Sequence, residues 1–396
     1  MNPLRPIANS RGIIRLLFVL LDARRQVTFW LALGFAVGAA DSRGQGFLIP
    51  DTTRRDMVFD FAGQNLYIST STGVIKTFQL STLTFGTAYN PGGSLNGIDI
   101  ARDNSFLLAA QNDFGISQGT FHRIDIATGT ITDIHYTLAF GEGGAWDVAI
   151  ASNGLALVTT QFQGSGWTPL RQIDLDTNAV SVRTDDPGSG GSGMVRQDTQ
   201  IHRGADGTRF FFMESNISSG PVFTYSGINN TFGQSADTNA FLDVASGAVN
   251  RTGDIVGLRT FGSSASLNTA PDFTFLHSFN EIDSGVAFDA AQAVFYGVNS
   301  MTDQIIAYST TTFGELFRLD IGEDVPAGST MFGTGTLVAS ADGGWLALET
   351  DSGIRLFQLA TPTPTPTPTP CAGRCAPTPR PRPTPRPRPT PSHTLE

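Results

Sequence analysis

Val58-Phe59-Asp60-Phe61-Ala62-Gly63-Gln64-Asn65-Leu66-Tyr67-Ile68-Ser69-Thr70 reads as a strand, a small polar turn and a second strand. Apolar and polar residues alternate up to Asp60, Gly63 stands where the chain must reverse, and the run from Leu66 is β-rich. The pattern returns at Ile98 (IDIARDNSFLLAA), Val148 (VAIASNGLALVTT), Ile201 (IHRGADGTRFFFM), Ala248 (AVNRTGDIVGLRT), Val286 (VAFDAAQAVFYGV) and Leu337 (LVASADGGWLALE). The turn residues Gly63, Asn104, Gly154, Gly207, Gly253, Ala291 and Gly343 are 41, 50, 53, 46, 38 and 52 residues apart. Repeats of roughly 40 to 50 residues, each with about four strands, cannot bury their faces singly but do so as a closed ring of blades. The sequence therefore predicts an all-β, seven-bladed β-propeller. Helical repeats of this length need apolar residues three and four apart, a spacing these segments lack.

A third strand is expected in each copy, beginning at Val74, Phe121, Pro169, Pro221, Phe273, Gln304 and Ile354, and most copies leave room for a fourth. The seventh copy leaves none. Leu359 is followed almost at once by a Thr-Pro run, which cannot donate to a sheet ladder. The apolar segment Gly46-Phe47-Leu48-Ile49-Pro50 is otherwise unassigned, so it is expected to complete the last blade and remove the open edge.

Composition fits one large β domain over residues 46–360, with 44 Gly, 29 Phe and only 15% charged residues. Residues 1–40 read as an export signal: Arg24 and Arg25 precede the apolar run VTFWLALGFAVGAA, and Gly38 and Ala40 suit cleavage after Ala40. A secreted, periplasmic or cell-surface location follows as an expectation. Residues 361–396 alternate Thr, Pro and Arg and are expected to be an extended, disordered tail. That tail carries the only cysteines, Cys371 and Cys375, which suit a small disulfide or an interchain link. Residues 44–360 hold 14 basic and 32 acidic side chains, a net −18, whereas residues 371–396 hold five Arg and one Glu, a net +4. Nucleic acid is excluded as a partner of so acidic a body, and the tail is either a solvated spacer or a contact for anionic envelope polymers.

Phe295-Tyr-Gly-Val-Asn-Ser300 with Gln304-Ile-Ile-Ala-Tyr308, and Leu66-Tyr-Ile-Ser-Thr70 with Val74-Ile-Lys-Thr-Phe78, carry a family resemblance. Over residues 46–360 the chain resembles the YVTN-type, WD-repeat-like seven-bladed propellers of exported bacterial proteins, although no copy has the literal YVTN string. The resemblance implies four-stranded blades around a channel, with ligands met on the face whose loops lead into the innermost strands. It implies no single activity.

Several motifs are better explained structurally. The five His, at 122, 135, 202, 277 and 393, lack metal-ligand spacing, and Gly188-Ser-Gly-Gly-Ser-Gly193 opens no helix, so a dinucleotide would lack its helix N-terminus. Asp174-Leu-Asp176-Thr-Asn178 lacks the Gly and Glu of a calcium loop and reads as a hairpin turn.

Two candidate sites remain. Asp56, Asn96, Asp147, Asp198 and Asp283 stand just before the innermost strands of five copies, where a ring would bring them to one channel mouth. They either satisfy loop amides or hold a divalent cation such as Ca2+, as propeller lactonases of the gluconolactonase kind do in a comparable place. Phe114, Phe162 and Trp167 lie on the long loops QNDFGISQGT and QFQGSGWTP, as ligand anchors or as covers over neighbouring blades. The function expected is a non-catalytic binding or scaffold module for a protein, glycan or small-molecule ligand. The alternative is a metal-assisted lactone or ester hydrolase.

Overall fold

The computed structural model describes residues 46–359 apart from 114–116, 192, 243–245, 261 and 330. The expected leader and tail, with Cys371 and Cys375, lie outside the described residues, as does Phe114. Seven antiparallel sheets follow one another along the chain, and they form a seven-bladed propeller. The innermost strands are Arg54–Phe59, Leu95–Ile100, Glu142–Ile150, Gln200–Arg203, Ser246–Val249, Val286–Phe288 and Leu337–Ala339.

The ring closes as the sequence predicts. Phe47–Pro50 pairs antiparallel with Gly353–Gln358, Ile49 opposite Ile354, and supplies the fourth strand of blade 7. Ile49 is fully buried at this seam beside Met57 and Ile68 of blade 1. Sheet faces are apolar on both sides, so each blade packs against two neighbours. The buried side chains accordingly fall into seven clusters, one at every seam from blades 1–2 round to blades 7–1. At the seam of blades 3 and 4 the Phe212 and Phe223 rings stack 4.7 Å apart.

The turn chemistry is as read. Gly63 and Asn104 take φ of 64° and 60°, the left-handed conformation that Gly and Asn adopt at least cost. Ala291 does without it: Asp289 Oδ1 accepts the Ala291 and Gln292 amides and turns the chain instead. One third-strand assignment is corrected. FTFLHSF, from Phe273, supplies the outer strand Phe275–Phe279 of blade 5, whose third strand is Ala265–Thr269. In blade 3 the third strand is Arg171–Asp174, while Trp167–Pro169 leaves the blade and pairs with Met194–Arg196 in a separate ribbon.

Candidate functional site

The innermost strands line a central channel, and side chains on four of them stitch a blade to the next. Asp56 Oδ1 accepts its neighbour Met57's amide at 2.8 Å, and Oδ2 accepts the Ile98 amide of blade 2 at 2.9 Å. Asp147 repeats this with Val148 and with Ile201 of blade 4. Asp99, which the sequence reading passed over, does the same with Ile100 and with Ile150 of blade 3. In blade 5 the acceptor is a hydroxyl: Ser246 Oγ takes the Val286 amide of blade 6 at 3.0 Å.

Of the five carboxylate and amide positions expected at one mouth, Asp56 and Asp147 therefore line the same cavity. The others are engaged elsewhere. Asp283 accepts the amide and hydroxyl of Ser300, Asp198 Oδ2 meets Asn216 Nδ2 at 3.3 Å, and the Asn96 carbonyl accepts the Ser69 hydroxyl. Among the described residues no three His, Cys, Asp or Glu side chains come together in a metal-holding group. Asp174 closes a turn by accepting the Asp176 and Thr177 amides.

Electrostatics in the channel are dominated by loss of water. Burial pushes the Asp56 carboxyl up to about 7, against the two amides that favour its charged form, and the charge of Asp99 adds to the rise. Asp147 is held well above the carboxylate range, first by burial and then by the charge of Asp56. Burial also raises Asp99, which Arg203 opposes across 3.0 Å, and it holds the His202 imidazole down at about 4. At one end the channel is crossed. Phe332, from the connection between blades 6 and 7, meets Trp146 of blade 3 edge-on with ring centroids 4.9 Å apart, and blades 3 and 7 are not neighbours.

The loop candidates form a second feature. In the separate ribbon Thr168 and Val195 are fully buried, while Trp167, paired directly with Arg196, points the other way. The Arg196 guanidinium lies 4.8 Å from the Trp167 ring. The indole Nε1 donates to Ser189 Oγ at 2.9 Å, and Ser189 donates onward to the wholly buried Glu214 at 2.5 Å. Burial pushes the Glu214 carboxyl upward, so this chain of contacts sets the indole from beneath. The Phe162 ring lies against Gly141 and Gly166, where a Cβ would come within 2.3 and 2.7 Å of it. Next to Gly141 stands Phe140, fully exposed, and Trp167 is 39% exposed. Through Gly141 and Gly166 the Phe162 ring thus links the Phe140 and Trp167 positions in one ledge of backbone and ring. Its signal in the sequence was partial: Phe162 and Trp167 stood on long loops, whereas Phe140 lies in a short connection and Arg196 has no local pattern to mark it.

A scan against family models and a search of curated proteins each return no match to this chain. Among solved structures it is similar to the Myceliophteria thermophila Cps50 (Swd1) β-propeller domain, with a TM-score of 0.59 over 79% of this chain and 98% of that one. Identity is 11%, so the likeness is one of fold.

Proposed function

We propose that this chain is a non-catalytic binding module, exported to the cell envelope or beyond, that takes its ligand on the ledge of Phe140, Phe162 and Trp167. The observation that carries this reading is a fully exposed Phe140 beside two aromatics on a closed ring, Trp167 being set by Arg196 and Ser189. Trp167, so held, loses little freedom when a ligand covers it, and each aromatic covered contributes about 1 to 3 kcal/mol. The body's net −18 directs it towards uncharged or basic ligands that offer a flat or apolar face. Export is supported by the basic and apolar leader in residues 1–40. The hydrolase alternative gains no support from the channel, where Asp56 and Asp147 give both oxygens to backbone amides.

A mixed array of envelope glycans and peptides tests the ledge. Phe140→Ala with Trp167→Ala should weaken binding to any hit at least tenfold while the melting temperature falls by only a degree or two. Equal binding by the double variant would refute the assignment. Cell fractionation tests the location, and protein retained wholly in the cytoplasm would refute export.

A further inference from the structure

The channel below the Phe332–Trp146 crossing encloses a cavity of about 220 Å³. That is room for roughly seven water molecules, or one small organic molecule. Among the described residues Asp56 and Asp147 stand without a basic partner at the level where they meet the Ile98 and Ile201 amides, whereas Arg203 and Arg251 share the other end with two carboxylates: Asp99, paired with Arg203 at 3.0 Å, and Asp289, next to the Ala290 that Arg251 bonds. Arg203 follows Ile201, whose amide meets Asp147, by two residues, or about 7 Å of strand. Between these ends the opposite wall is small and apolar, made by Ala248, Ala287 and Val338.

The arginines have donors to spare. Arg251 is exposed, and its one bond is to the Ala290 carbonyl; Arg203 is held by Asp99 and the Ile100 carbonyl. A further polar group waits in the cavity wall. Ser329 is 3% exposed, lines the cavity, and has no hydrogen-bond partner among the described residues.

We propose that the channel binds a small zwitterion, its ammonium between Asp56 and Asp147 and its carboxylate at Arg251 and Arg203, with an alkyl stem against the alanine wall. Carboxylates stripped of water and lying in one another's field favour a cation between them. An ammonium suits the place better than a metal ion. Each oxygen of Asp56 and Asp147 already accepts an amide, which leaves room for further single hydrogen bonds but no open shell of ligands, and a bare ion would have no use for the apolar wall. Arg251, in no ion pair among the described residues, then fixes polarity with Arg203 beside Asp99 in support, since a guanidinium pairs with a carboxylate in bidentate fashion. This site is separate from the aromatic ledge.

Calorimetric titration of the full chain with ε-aminocaproate, n-pentylamine, hexanoate and Ca2+ tests the proposal. The zwitterion should bind and raise the melting temperature, and the amine and the carboxylate should each bind at least tenfold more weakly. Arg251→Ala, an exposed substitution that gives up one bond to the Ala290 carbonyl, should weaken the zwitterion at least tenfold, as should Asp147→Asn if it folds. Phe275→Ala, on the outer strand of blade 5, should bind as the parent does. The proposal is overturned if none of the four binds, if the amine or Ca2+ binds as tightly as the zwitterion, or if Arg251→Ala makes no difference.

Discussion

The two halves of the ring join their blades through the same backbone position by different chemistry. From blade 1 to blade 4 the inner stitches are carboxylates, Asp56, Asp99 and Asp147, reaching the amides of Ile98, Ile150 and Ile201. From blade 5 to blade 6 the stitch is the neutral Ser246, and the channel wall there is alanine-rich. A hydroxyl accepts one amide without bringing charge into a dry place. A carboxylate accepts two but is pushed towards its protonated form where water is scarce, so the stitches from blade 1 to blade 4 depend on proton concentration and the Ser246 stitch does not.

The seam that closes the ring is the most demanding place to disturb. Deleting residues 46–50 removes the fourth strand of blade 7, exposes the Gly353–Gln358 edge and uncovers a cluster that includes the fully buried Ile49. Losing that burial and those ladder bonds costs several kcal/mol. Thermal unfolding should show a fall of more than ten degrees or no folded protein at all. An unchanged melting curve would mean that closure rests on the blade faces alone.

A pH series separates the two halves. Asp56 has a folded value near 7, above that of an unfolded aspartate, so the native state holds the extra proton between those limits. Stability from this group is then greatest below about pH 4 and is lost as the pH rises from there through 7, the reverse of an ion-paired aspartate. Asp147 and Asp99, on the next two blades, are raised too, and Glu349 at the closing seam lies in the field of Asp56, buried and opposed by Arg54 at 3.7 Å. From pH 5 to pH 8 the loss due to Asp56 alone is about 2.5 kcal/mol. Denaturant melts should show it, and Asp56→Asn should flatten the slope. A slope of the opposite sign would show that these carboxylates are charged and well compensated.

How much of this was legible in the sequence follows from the range of the interactions. The blades were legible because their turns are local: a Gly or Asn at positive φ is needed within a few residues of the strands it joins, as at Gly63 and Asn104. Blade 5 misled where its third strand, Ala-Ser-Leu-Asn-Thr, buries only Ala265 and Leu267, while the more apolar FTFLHSF beside it is the outer strand. Asp99 was within reach, since a carboxylate alternating between Ile98 and Ile100 on a buried strand calls for a partner. The rest was not. Trp146 with Phe332 join segments 186 residues apart that meet only when the ring forms, and Trp167 with Arg196 join segments 29 apart that meet only when their ribbon pairs.

The smallest expected effect is at the neutral stitch. Ser246→Ala leaves the Val286 amide without its acceptor inside the channel wall, where replacing that bond by water is hindered, and the loss should be about 1 kcal/mol. No proton is involved, so the difference between parent and variant should be the same at pH 5 and pH 8. Parallel melts at the two values measure this directly. A loss that grew with pH would show that the carboxylates of the first half act across the channel on the second, and that the ring responds to protons as one unit rather than as two unlike halves.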